Sequence, residues 1–118
     1  MNEKTDKLLI AGIELWLKVG CAERERAFAQ RIELNVTLEL PLAPAGKNDD
    51  LSKTIDYAAA VEGLRKLLTP KKFRLAEAVA EQAADYLLKK FKPRAVTVLI
   101  KKRALPGIDW AGMEIRRP

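Results

Sequence analysis

The chain has 118 residues, 48% of them hydrophobic and 32% charged, with 6 glycines and 6 prolines, a balance that excludes a disordered or low-complexity chain and predicts a single domain over residues 1–118. A net charge of +6 would attract phosphates. However, the basic clusters Lys71-Lys72, Lys89-Lys90-Phe91-Lys92, Lys101-Lys102-Arg103 and Arg116-Arg117 are short and, Phe91 apart, lack the interleaved aromatics of a stacking platform, which argues against nucleic acid as the partner. One cysteine, Cys21, and no histidine exclude an internal disulfide, disfavour a zinc or other transition-metal site, and fit a cytoplasmic setting.

The first element is the apolar run Leu8 to Val19, broken by Gly12, Glu14 and Lys18. It is too short and too polar to span a bilayer, and it reads on into charged residues with no small-residue cleavage site. A two-residue register puts Leu9, Ala11, Ile13, Leu15, Leu17 and Val19 on one face of a strand. Residues 31 to 40 alternate without a break, with Ile32, Leu34, Val36, Leu38 and Leu40 on one side, and predict its antiparallel partner. The connection from Gly20 to Ala29 is long for a hairpin and rich in charge, the mark of a functional loop.

Residues 41 to 53, with Pro41, Pro44, Gly46 and Lys47-Asn-Asp-Asp50, end the sheet pairing and cross to new structure. Asp56 is a natural N-cap for a helix whose face is Tyr57, Ala60, Val61, Leu64, Leu67 and Leu68, stopped by Pro70. A second helix runs from about Leu75 to Phe91 with two stripes, Leu75, Val79, Ala83, Leu87 and Ala76, Ala80, Ala84, Leu88, and Pro93 ends it. Val96, Val98 and Ile100 then alternate as a third strand, Pro106-Gly107 makes a turn, and Ala111 to Arg116 forms an edge strand. The order ββααββ predicts an α+β fold, an antiparallel four-stranded sheet with two helices on one face. Its other face is either solvated or packed against copies of itself.

Four side chains could do chemistry, and each also has an ordinary reading. Glu77 lines up with Glu81, Asp85 and Lys89 as a solvated stripe, yet it also lies in a first helical turn, where free backbone N–H groups favour a carboxylate. Tyr57 begins an apolar helix face, where a tyrosine commonly packs with its hydroxyl at the rim. Lys102 continues the alternation of Val96, Val98 and Ile100, and a lysine beside apolar groups can have its pKa lowered enough to exchange protons near neutrality. Glu25 sits in a charged loop among Glu23, Arg24 and Arg26. There is no Ser/His/Asp set, Gly-rich phosphate loop or metal motif. The residues by themselves therefore define a proton-transfer site of unspecified substrate.

Taken together, Lys7-Leu-Leu-Ile-Ala-Gly12-Ile-Glu-Leu, Val19-Gly-Cys-Ala-Glu-Arg-Glu25-Arg-Ala-Phe-Ala-Gln30, Asp50-Leu-Ser-Lys-Thr54-Ile-Asp-Tyr57, Leu75-Ala-Glu77-Ala-Val-Ala-Glu81 and the strand end at Lys102 resemble the dihydroneopterin aldolases of folate synthesis and the related dihydroneopterin triphosphate epimerases. In that family a glycine, a glutamate and a glutamine follow one another at intervals of five, which Gly20, Glu25 and Gln30 satisfy. The resemblance implies the tunnelling fold (T-fold), with four protomers in a ring, two rings stacked as an octamer, and sites between protomers. It implies that Glu77, beside Ala76, holds the amino group and ring N–H of a pterin and that Glu25 positions the polyol. Lys102 would be the principal acid/base, and Tyr57 of an adjacent chain would assist. Retro-aldol cleavage to hydroxymethyldihydropterin and glycolaldehyde would need no cofactor, metal or Schiff base.

Ala76 stands where the family usually has a larger apolar residue, Arg103 where proline is common, and Lys101 leaves the lysine open by one position. The alternatives carried forward are the triphosphate epimerase, which the positive charge slightly favours, and a non-catalytic basic binding module on the same fold.

Overall fold

The computed structural model describes residues 5–103 and 105–118. Strand β1 (Asp6–Val19) and strand β2 (Gln30–Leu40) form a long antiparallel pair, followed by helix α1 (Ala43–Asn48) and helix α2 (Tyr57–Leu68). Strand β3 (Lys72–Phe73), helix α3 (Ala76–Phe91), strand β4 (Ala95–Lys102) and strand β5 (Ala111–Arg117) complete the chain. The sheet order is β3-β1-β2-β4-β5, with α2 and α3 on one face, as alternation and helical spacing predict.

The strand count differs from the expected four. Lys72 and Phe73 pair in parallel with Lys18 and Val19, adding a fifth strand of two residues, too short to show any periodicity. The segment read only as a crossing contains α1, with Pro44 in its first turn, where a missing N–H costs nothing, and Asp49 closing it in the left-handed region. A single 3-10 turn, Leu51–Lys53, follows.

Beneath the helices, Leu15, Leu17, Ile32, Leu34, Leu38, Val96, Val98 and Ile100 are sealed from solvent. Ala60, Leu64 and Leu68 of α2 and Val79, Ala80, Ala83, Ala84 and Leu87 of α3 close the same core. Asp56 caps α2 as expected, its Oδ1 accepting from Ala58 N at 3.0 Å and Ala59 N at 3.4 Å. The alanines and Gly63 let the two helices approach, and a Cβ on Gly63 would overlap the Tyr86 hydroxyl.

One predicted face is corrected. Two-residue alternation puts Leu9 and Ala11 alongside Ile13, Leu15, Leu17 and Val19, but Leu9 is 68% exposed and Leu8 and Ile10 pack on the core instead. The register steps from Ile10↔Val36 to Ile13↔Leu34, so two residues, Ala11 and Gly12, face the single Asn35. This is a β-bulge, with Gly12 at φ +70 in the left-handed region that a glycine enters without a Cβ clash. Gly12 N donates to Asn35 Oδ1 at 2.8 Å. The extra residue inverts the inward parity of everything before it.

Candidate active site

The loop between β1 and β2 is a compact turn. A 3-10 turn, Glu25–Ala27, brings Glu25 back over Gly20, where any Cβ would overlap the Glu25 Cβ. Glu25 Oε1 accepts from Ala22 N at 3.1 Å, Arg26 Nη1 donates to the carbonyls of Gly20 and Cys21 at 2.8 Å each, and Gln30 Nε2 donates to Val19 O at 2.7 Å. This loop and the start of α3 are joined by backbone, since Gly20 N donates to Phe73 O at 2.9 Å and Glu77 follows four residues after Phe73. Glu77 is exposed in the first turn of α3, and Ala76, the first residue of that helix, is half-buried against the core.

Lys102 ends β4 opposite Ile32, two residues into β2 from Gln30. The fold therefore brings Glu25, Ala76, Glu77 and Lys102 to one end of the sheet, on or next to the adjacent strands β3, β1, β2 and β4, which lie about 5 Å apart. Lys102 is half-buried in phase with the buried Val98 and Ile100, on the helix-covered side. Lys101 points the other way. Its Nζ lies 3.7 Å from Glu33 Oε2 and 4.9 Å from the centre of the Trp110 ring.

Tyr57 is not brought to this cluster. Helices α2 and α3 run antiparallel, with Gly63 against Tyr86 and Lys71 Nζ donating to Gln82 Oε1 at 2.8 Å. Tyr57, at the opposite end of α2 from Leu68, thus lies about 16 Å along the helix from the β3 junction. It is 62% exposed rather than packed.

The open sheet face beside the cluster is a ladder of charge. Arg31 pairs with Glu14 at 3.1 Å and Arg116 with Glu39 at 2.8 Å, parallel to the Lys101 and Glu33 pair. Hydrogen bonds from Trp16 and then Arg31 hold the Glu14 carboxyl below its ordinary value. Asn35, then the Lys101 charge, do the same for Glu33, and Arg116 does so for Glu39. The network on Arg26 leaves no mark in the sequence, because an arginine that closes the charged run Glu23-Arg24-Glu25 looks like part of a solvated loop and its carbonyl partners carry no side-chain signal.

A sheet backed on one side by paired helices, with polar groups gathered where β1 and β4 end and β2 begins, is a protein of the T-fold class. The chain belongs to the dihydroneopterin aldolase family, FolB, whose model matches residues 8–116. It is 32% identical over 117 residues to a dihydroneopterin aldolase of Methylorubrum extorquens, covering 95% of this chain and 89% of that one. A dihydroneopterin aldolase from Burkholderia thailendensis, solved bound to guanine, superposes with a TM-score of 0.79 at 28% identity, over 96% of this chain and 90% of that one. The E. coli dihydroneopterin aldolase solved in complex with neopterin shares the fold at a TM-score of 0.91 and 24% identity, over 96% and 99% of the two chains.

Proposed function

We propose that this chain performs its family's lyase reaction, the retro-aldol cleavage of dihydroneopterin in folate synthesis, with its own Glu25, Tyr57, Ala76, Glu77 and Lys102. The observation that carries the assignment is the gathering of Glu25, Glu77 and Lys102 at one sheet end. There Lys102 lies on the helix side while Lys101 is engaged by Glu33 and Trp110 on the other. Guanine, the ligand of the Burkholderia relative, presents the same amino-pyrimidinone edge as a pterin. A carboxylate at a helix start can accept two hydrogen bonds from that edge.

Glu77 holds the pterin through its amino group and ring N–H, over the small surface of Ala76. Glu25 accepts from the polyol hydroxyls. A base, Lys102 acting directly or through water with Tyr57 assisting, removes a proton from the hydroxyl on the departing carbon. The carbon–carbon bond breaks, glycolaldehyde leaves, and the electron pair enters the C=N of the dihydropterin ring. Protonation of the remaining carbon gives hydroxymethyldihydropterin. Reclosure on the opposite face instead of release would be epimerisation.

Tyr57 serves the site of a neighbouring protomer in this reading, because it lies at the far end of the helix layer from Glu77. Residues 1–118 act as one domain, four protomers closing a ring and two rings stacking as a cytoplasmic octamer. The assembly would cover the edges that β1 and β5 leave open. Light scattering tests it, since a stable monomer would be incompatible with a site built from two chains.

The activity is tested by incubating the protein with dihydroneopterin and, separately, with its triphosphate, and resolving the oxidised products by fluorescence-detected chromatography. Hydroxymethylpterin from the free compound is expected. Turnover of the triphosphate alone, to its epimer, would reassign the chain to the epimerases. No turnover, with salt-sensitive retention on nucleic acid, would make it a binding module.

A further inference from the structure

We propose that Arg26 is a positioning residue for Glu25, acting through the peptide group between Cys21 and Ala22. Arg26 is half-buried although Glu23, Arg24, Glu25, Ala27 and Phe28 around it are exposed. Its hydrogen bonds go to main-chain carbonyls, Gly20 O and Cys21 O, both at 2.8 Å from the one Nη1. The second of these acceptors is the important one. Cys21 O and Ala22 N belong to one planar peptide unit, and their bonds point to opposite sides of it. On one side the unit accepts from the Arg26 guanidinium, and on the other its N–H donates to Glu25 Oε1 at 3.1 Å.

A cation bonded to the carbonyl fixes the rotation of the peptide plane and polarises the N–H at its other end, so the two bonds strengthen each other. Gly20 adds the steric half of the arrangement, its missing Cβ leaving the space that the Glu25 side chain occupies. Without Arg26 the plane is free to turn, and Glu25 loses both its donor and its direction. The inference rests on the reading of Glu25 as the residue that meets the polyol, and adds what sets its aim.

The test is a double-mutant cycle on the full-length protein. Arg26→Met, Glu25→Gln and the double variant are compared for kcat/KM on dihydroneopterin and for affinity towards a pterin lacking the polyol chain, with thermal unfolding alongside. Arg26→Met is expected to lower kcat/KM about tenfold, short of the roughly 10²-fold that a full 1 Å misplacement can cost. In the Glu25→Gln background the same change should cost less than about twofold, because the group it aims is already gone. Affinity for the chainless pterin should be unchanged.

Additive losses, or an equal loss of chainless pterin binding, would mean that Arg26 merely staples the loop and would overturn the inference alone. A Glu25→Gln variant with parental kinetics would instead overturn the reading of Glu25, and this inference with it. Should Arg26→Met fail to fold, Arg26→Lys, which keeps a cation in the same place, replaces it in the cycle. The loss is then about threefold with the same non-additivity, and additivity would be equally fatal.

Discussion

Strands β1, β2 and β4 present, on the side under α2 and α3, Leu15, Leu17, Ile32, Leu34, Val98 and Ile100, all sealed from solvent. On their open side the same strands present Glu14, Arg31, Glu33, Glu39 and Lys101, paired across strands or, for Glu39, with Arg116 of β5. The first face is held by removal of apolar area from water, so changes there cost stability whatever the pH. The second is held by pairs in contact with solvent, which contribute little each and depend on ionisation. Adjacent residues on one strand therefore answer to different physics, and β4 ends on a lysine for each face.

That pair gives the sharpest way to break the comparison and the largest expected effect. Lys102→Ala should slow cleavage by about 10²–10⁴-fold, the range for a general acid/base, while pterin binding persists. Lys101→Ala should leave cleavage near the parental rate. Equal rates for Lys102→Ala and the parent, measured by single-turnover product formation, would remove the acid/base from the helix side.

Next in size is Leu34→Ala, which removes a side chain of 0% exposure from the core. It should cost about 3 kcal/mol in urea unfolding at any pH where the parent is folded.

The smallest effect belongs to the open face, and its signature is pH. The Arg116 guanidinium holds the Glu39 carboxyl below its ordinary value in the folded chain, so its contribution is present above the unfolded value and is lost as pH falls through the folded one. Urea midpoints of Glu39→Gln should start slightly below the parent at neutral pH. They should converge on it in acid, and a constant gap would show that Glu39 acts by packing.

Much of this arrangement is legible in the sequence because burial leaves a period. The unbroken alternation from Ile32 to Leu40, the three- and four-residue spacing after Asp56, and the stops at Pro70 and Pro93 each follow from one face meeting the core. The reading fails where no period exists or where both parities are apolar. Lys72–Phe73 is too brief, and Leu8-Leu9-Ile10-Ala11 offers apolar residues to either face, so only the backbone at Gly12 decides between them. At the site, Glu77 and Glu25 look like solvated carboxylates because they are solvated in one protomer. What singles them out is likeness to a family, the five-residue intervals from Gly20 and to Gln30 for Glu25 and the place at a helix start for Glu77, and the polar contacts that aim Glu25 run through main-chain atoms that any residue would supply.

The bulge at Ala11 and Gly12 has a consequence for insertions and deletions. Removing one residue there would let Ile10 and Ile13 stand two apart opposite Val36 and Leu34, and every inward side chain of β1 would remain inward. The core would thus accept the shorter chain. What a deletion would erase is the local bend and added twist that a bulge imposes, together with the tie from Gly12 to Asn35 and on to Glu33, whose Oε2 accepts from Asn35 Nδ2 at 2.9 Å. Packing alone would therefore tolerate the chain with or without the extra residue, and what that residue supplies is curvature.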